Sequence, residues 1–422
     1  MFPRAHVMRL AAAAAFVSAA ACSGGATDPG NQGGDQPDKP GARLEVLPRP
    51  LTAGESKVVT AANDFSFALF RRLSAAQKDS NVFTSPLSAS MALGMAMNGA
   101  AGTTYDQMKS ALAFGSASEQ EINGSYKSLI TLLRGLDPAV DFRIANSIWS
   151  RTGFPVKQTF IDATTSAFDA KVTALDFASA TAPATINDWV SGATAGKIPK
   201  IIDRIGGDDV MFLINAIYFK GSWREKFALA DTRDAQFRGV AGSQPIKLMH
   251  RTGNMGALYT PDFIAVDMPY GNSAFTMTAL LPAEGRSVEA LAASLQGPAW
   301  ATWMGQMREG KVDLHFPRIK LEWERLLIPD LKLLGMIDAF NEGGADFSRL
   351  SSPGTNLFIS VVKQKTYADV NEEGTEAAAV TNVGVTLTSA PAPVRFDRPF
   401  LFMIRERLSG AVVFMGKIVS MP

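Results

Sequence analysis

A single cysteine, Cys22, stands in a chain of 422 residues, so no disulfide can form within one molecule. Net charge is nearly absent as well: 41 Lys and Arg against 40 Asp and Glu leave +1. That balance excludes a nucleic-acid binder that works by neutralising phosphates along a basic face. No run of basic residues occurs, and no aromatics are interleaved with basic ones as on a base-stacking surface. Beyond the N-terminus no apolar stretch reaches the roughly 18 residues of a membrane-crossing helix. The run from Val210 to Phe219 is far shorter and contains Asn215. Histidine is scarce too. Only His6, His250 and His315 occur, and the last two stand in no metal-ligand spacing, so neither a metal nor a cofactor is expected. A Gly-x-Ser-x-Gly elbow, a phosphate-cradling glycine loop and a repeat of fixed period are missing, which argues against an enzyme.

What is present begins with a charged flank. Arg4 and Arg9 precede an apolar stretch, Leu10 to Ala21, in the pattern of a secretory signal peptide over residues 1–22. Ser18-Ala19-Ala20-Ala21-Cys22 is similar to a bacterial lipobox, with Ala19 where that pattern usually has Leu. The resemblance implies lipidation at Cys22 and attachment to a membrane; ordinary cleavage after Ala21, leaving a free thiol, is the alternative. Residues 23–56 are rich in Gly, Pro, Asp, Gln and Asn, a composition that cannot offset the entropy of ordering, and are expected to form a flexible tether. One folded domain is expected over residues 57–422.

Within that domain, Asn63-Asp64 can cap a helix with Phe65, Leu69, Phe70 and Leu73 on one face. A helix apolar nearly all round follows the Ser85-Pro86 turn, and a third runs from Ile186 to Ala195, closed by Gly196. Strand signals come later. Val210 to Phe219 reads as a strand covered on both faces, Phe275 to Leu281 ends at Pro282, and Phe400–Ile404 with Ala411–Val419 reads as a hairpin. Helices first and strands afterwards indicate an α+β domain.

Gly374 to Thr388, written as a strand, alternates. One face carries Thr375, Ala377, Ala379, Thr381, Val383, Val385 and Leu387, with no charge and growing bulk. The other carries Glu376, Ala378, Val380, Asn382, Gly384 and Thr386. Pro391 and Pro393 would stop a strand there. The segment therefore has one face suited to lying on an apolar core.

Six stretches in order carry a resemblance to a known family: Asn81-Val-Phe-Thr-Ser-Pro-Leu-Ser88, Thr194-Ala-Gly-Lys-Ile198, Leu213 to Trp223, Val370-Asn-Glu-Glu-Gly-Thr-Glu-Ala-Ala-Ala379, Phe396-Asp-Arg-Pro-Phe400 and Phe414-Met-Gly-Lys417. The chain resembles the serpins. The resemblance implies about nine helices, three sheets and a mobile reactive-centre loop over about 374–393. It implies a suicide substrate for serine proteases that forms a covalent acyl complex, with the cleaved loop inserting into the central sheet. Spacing from Gly374 and from Phe396 places the scissile bond at Thr388–Ser389, with Leu387–Thr388 as the competitor. A small uncharged Thr before the bond suits an elastase-like or subtilisin-like protease rather than one whose pocket needs a cation. The implied hinge is Glu372, Gly374, Thr375, Glu376, Ala377, Ala378 and Ala379. The implied shutter is Ser85, Ser88 and Asn215, with Gln364 standing where the family has His. Trp223 and Arg318 match the breach, where the loop first enters, with Arg318 pairing Glu372. A monomer, exported and either membrane-anchored or extracellular, is expected. A non-inhibitory serpin (chaperone, carrier or binding lipoprotein) is the rival reading.

Overall fold

The computed structural model describes residues 41–352, 357–375 and 392–421. Order begins upstream of the expected Lys57. Leu44, Leu47 and Leu51 pack on the core, and Leu44 N donates to Asn272 O at 2.7 Å. The first helix, α1, is Ala53–Ala76 rather than one capped at Asn63. Its start is a capping box: Glu55 N donates to Thr52 Oγ1 at 3.1 Å, and Thr52 N donates to Glu55 Oε2 at 2.7 Å. Arg49 clamps the same carboxylate, and its hydrogen bonds hold Glu55 at a pKa of about 2 against burial. Asn63 lies mid-helix and works elsewhere: its side chain donates to Gly410 O and accepts from Val412 N, pinning the C-terminal hairpin.

The second helix, α2 (Pro86–Met97), starts where expected, capped by Ser85 with Pro86 in the first turn, and is buried on nearly every side. The helix expected from Ile186 runs Ala182–Ala193, and the chain leaves it through Ala195 and Gly196, both at positive φ. Nine α-helices occur among the described residues.

The strands in chain order begin with β1 Val82–Thr84, β2 Val140–Arg151, β3 Ala170–Leu175, β4 Met211–Ser222 and β5 Arg233–Gly239. Next come β6 Gly242–Tyr259, β7 Phe263–Pro269, β8 Phe275–Pro282, β9 Arg308–Pro317 and β10 Ile319–Leu326. The last are β11 Lys363–Asn371, β12 Gly374–Thr375, β13 Pro393–Arg395, β14 Phe400–Glu406 and β15 Val412–Ile418. Two hydrogen-bonded networks result, a mixed α+β architecture. One is ordered β10-β11-β12-β4-β2-β3; the other is β1-β15-β14-β8-β7-β6-β9-β13, with β5 on β6. The third sheet of the expectation is continuous with the second, because the 18 residues of β6 pair with β5 over 242–248, with β9 over 248–257 and with β7 over 257–259.

The central strand β4 is covered on both faces, as its apolar run suggested. Ile217 and Phe219 join the main core, while Ile214 and Ala216 pack with Trp149 and Ile186 on the other side. No helix among the described residues is long and apolar enough to cross a membrane.

Candidate functional site

The site lies where β11 turns back into β12. Gly374 and Thr375 are paired antiparallel on both sides, with Asn371 and Val370 of β11 and with Ser222 and Gly221 of β4. Gly374 and Thr375, two of the residues expected in the hinge, sit in the sheet as a short strand. Gly374 has no substitute here. A Cβ on it would fall 2.1 Å from Gly221 O, and its φ is +151°. Thr375 is buried, and its hydroxyl lies 2.8 Å from Tyr270 Oη.

Around this entry point the expected residues come together. Trp223 stacks on Tyr270 with ring centroids 4.5 Å apart, and its Nε1 donates to Asn371 O at 2.9 Å. The backbone of the turn is held too: Trp223 N donates to Glu373 O, and Phe227 N to Glu372 O. Arg318 binds Glu372 through both Nε and Nη2, the shorter bond being 2.6 Å, and Thr232 Oγ1 donates to the same carboxylate at 2.6 Å. Lys226 Nζ reaches Glu373 at 2.6 Å. Burial pushes the Glu372 carboxyl up, but the bonds from Arg318 and Thr232 outweigh it and hold it below its ordinary 4.5.

Lower in the sheet, the residues expected to form the shutter make two hydrogen-bonded clusters on the start of α2. From β11, Gln364 accepts from Thr84 Oγ1 and Ser85 N and donates to Ser85 O at 2.7 Å. From β4, Asn215 accepts from Ser88 Oγ and donates to Asn146 Oδ1 at 2.6 Å. Ser85 Oγ donates to Val413 O at 2.7 Å, which ties the helix start to β15. Each amide, so costly to bury unpaired, is satisfied from its own side. Among the described residues, no strand lies between β4 and β11 below Thr375. A cavity of about 320 Å³ follows that seam, lined by Ala92 and Leu93 of α2, Leu213, Asn215, Val362 and Gln364.

Among the described residues, β12 joins β11 to β4 at one end, and below it the two strands have no partner between them. A family model described as "Serpin (serine protease inhibitor)" matches residues 60–421. The chain belongs to the serpin family. A leukocyte elastase inhibitor of Equus caballus is 33% identical over 376 residues, covering 86% of this chain and 98% of that protein. Among solved structures, the thermophilic serpin tengpin in its native state matches with a TM-score of 0.80 at 30% identity, over 90% of this chain and 97% of that one. Human thyroxine-binding globulin with its hormone matches with a TM-score of 0.80 at 27% identity, over 87% and 99%. At the family level, a serpin is a protease inhibitor and not a catalyst.

Of the serpin positions read from the sequence, the structure joins Glu372 to Arg318, gathers Trp223 with Gly374 and Thr375, and divides Ser85, Ser88, Asn215 and Gln364 between two hydrogen-bonded clusters. Glu376, Ala377, Ala378, Ala379, Thr388, Ser389 and Cys22 lie outside the described residues. Sequence reasoning missed Thr232, Tyr270 and Asn146, which are far along the chain from the residues they meet and carry no local pattern, and gave no role to Thr84 within the Asn81–Ser88 stretch.

The Glu372–Arg318 lock gives a direct test. Arg318→Ala leaves a mostly buried carboxylate short of its main partner and should cost about 2 kcal/mol of unfolding stability, read from the urea midpoint. Because the folded carboxyl titrates below 4.5, its contribution is complete above that pH and is lost as pH falls through the folded value. The gap between wild type and variant should therefore narrow under acid.

Proposed function

We propose that this serpin inhibits serine proteases as a single-use substrate, cut at Thr388–Ser389 and closed by insertion of Thr375–Leu387 between β4 and β11. The register of β12 carries the reading. Continued in steps of two, it sets Ala377 beside Ala368 and Phe219, Ala379 beside Thr366 and Ile217, and Thr381 beside Gln364 and Asn215. Thr375 faces the core, so the uncharged face of the segment follows it inward. Thr381 then meets the polar shutter, while Val383, Val385 and Leu387 meet the apolar end of the seam. Insertion adds a ladder on two strand edges and buries apolar surface, which is the source of the driving free energy. Gln364 supplies both a donor and an acceptor to the shutter but carries no titratable charge, so insertion should show no pH gate at that position.

A protease panel tests the specificity. Elastase-like and subtilisin-like enzymes should lose activity at about one molecule of serpin each, and the released peptide should begin at Ser389. Thr388→Arg should move inhibition to trypsin-like enzymes by about 100-fold or more, since their pocket offers a carboxylate to a cation. Inhibition of trypsin-like enzymes alone by the wild type would sink the assignment of Thr388.

The carrier reading draws on the likeness to thyroxine-binding globulin. It predicts cleavage in the loop with no lasting inhibition, so the same panel separates the two. We also propose that Cys22 is acylated and that residues beyond it tether the inhibitor to a membrane. Metabolic labelling with a fatty acid should mark the wild type and not Cys22→Ser.

A further inference from the structure

We propose that His250, Asp313 and His315 form a binding site for one divalent transition-metal ion of the zinc class, on the strand pair beside the distal anchor of the loop. The two histidines are far apart in sequence and in no ligand spacing, but the antiparallel register of β6 and β9 sets them directly opposite one another. Asp313 lies two residues before His315 on β9, so it shares that face. The imidazoles stack with centroids 4.4 Å apart and planes 21° from parallel. Both Nε2 atoms approach the same carboxylate oxygen: Asp313 Oδ1 is 2.7 Å from His250 and 3.6 Å from His315.

One oxygen serving two imidazoles is an ordinary hydrogen bond for the first and nothing comparable for the second. A metal ion satisfies all three. One ligand atom from each residue lies within 4.8 Å of the others. Tetrahedral zinc with bonds of about 2.0–2.1 Å holds its ligand atoms roughly 3.3 Å apart. The His315–Asp313 distance is close to that, and the His250–Asp313 bond needs to open by only about half an ångström. Two imidazoles and one carboxylate favour zinc, cobalt or nickel over calcium or magnesium, which want more oxygen ligands. The three side chains are 35%, 18% and 19% exposed, sheltered but reachable. A cleft of about 150 Å³ opens onto the histidines, and its rim carries two carboxylates, Asp231 and Asp234, against two cations, Arg233 and Arg395. The rim charges cancel, which leaves Asp313 as the net attraction for an ion.

The position gives the site a consequence. Arg395 of β13 pairs with His315 across the other edge of β9, and β9 is the only partner of β13 among the described residues. A metal clip from β6 to β9 braces the edge on which the loop's far end is docked. Occupancy should raise the melting temperature of the intact protein.

The test uses the untagged full chain, stripped with chelator and then dialysed against micromolar Zn²⁺, with Co²⁺ as a spectroscopic probe. The expected result is about one zinc per chain in wild type, in His6→Ala and in Cys22→Ser, and a loss of affinity of at least ~100-fold in His250→Gln and in His315→Gln. Co²⁺ should give the visible absorption of a four-coordinate ion in wild type alone of the His250 and His315 series. Metal-free melts establish that the variants are folded. If His315→Gln does not fold, the half-exposed His250 decides. No zinc in the wild type, or undiminished zinc in His250→Gln, would overturn the site.

Discussion

Thr375→Arg is expected to turn the inhibitor into a substrate, with the fraction of protease trapped falling by at least ~10-fold while the loop is still cut. Thr375 is 3% exposed, opposite Val370 and Gly221, with its hydroxyl on Tyr270, which in turn stacks on Trp223. An arginine there must bring its cation out of water into a buried position between two strands. Glu372 is already clamped by Arg318 and Thr232. Even a fraction of that desolvation cost exceeds the roughly 1.4 kcal/mol that corresponds to a factor of ten in rate. The folded domain should survive, because β12 is two residues long and its expulsion leaves the other strands paired. On the proposed mechanism, trapping and hydrolysis compete after acylation, so slower insertion would shift the outcome to hydrolysis. Gel quantification of trapped against merely cleaved product reads the ratio.

Cleavage of the wild-type loop is expected to raise its melting temperature by about 10 °C or more. On the proposed mechanism, the cut would free the N-terminal part of the loop to extend β12 along the seam, between the two strands that β12 already joins and over the cavity beside them. For a domain of this length each kcal/mol moves the transition by about 1–2 °C, so the shift corresponds to on the order of 10 kcal/mol of unmade pairing and burial. Differential scanning calorimetry before and after limited proteolysis measures it. A nicked loop that inserted nothing would melt at the original temperature or below.

The fold was legible where a signal is local. Pro86 after Ser85 marked a helix start, the continuous apolar run of β4 marked a doubly covered strand, and Ser409-Gly410 marked a hairpin turn. The start of α1 was misread because Asn63-Asp64 looks like a cap, while the effective box, Thr52 with Glu55, precedes small and polar residues that hide the helical face. The tether was drawn too long for a related reason: Leu44, Leu47 and Leu51 are sparse among polar residues, and only the surface they land on shows that they are buried.

The site was legible where a motif lies in one stretch, as from Val370 to Thr375, and where a known pattern links two, as for Glu372 and Arg318. Residues brought side by side by the fold left no trace in spacing. Tyr270 beneath Thr375 is one case, and the pair His250 and His315 is another. Gln364 was seen as a departure from the serpin pattern. Its geometry shows how the departure is absorbed, with one amide taking two donors from Thr84 and Ser85 and returning one.

The proposed inhibitor traps its protease when the cleaved loop enters the seam between β4 and β11. Incubating the purified protein with a subtilisin-like enzyme and running a denaturing gel asks this most directly. The expected result is a band at the summed mass of the enzyme and the cleaved inhibitor, stable to boiling in detergent and absent when the protease serine is blocked beforehand. Complete conversion to a cleaved chain at the size set by a cut at Thr388–Ser389, with full protease activity remaining and no such band, would contradict it.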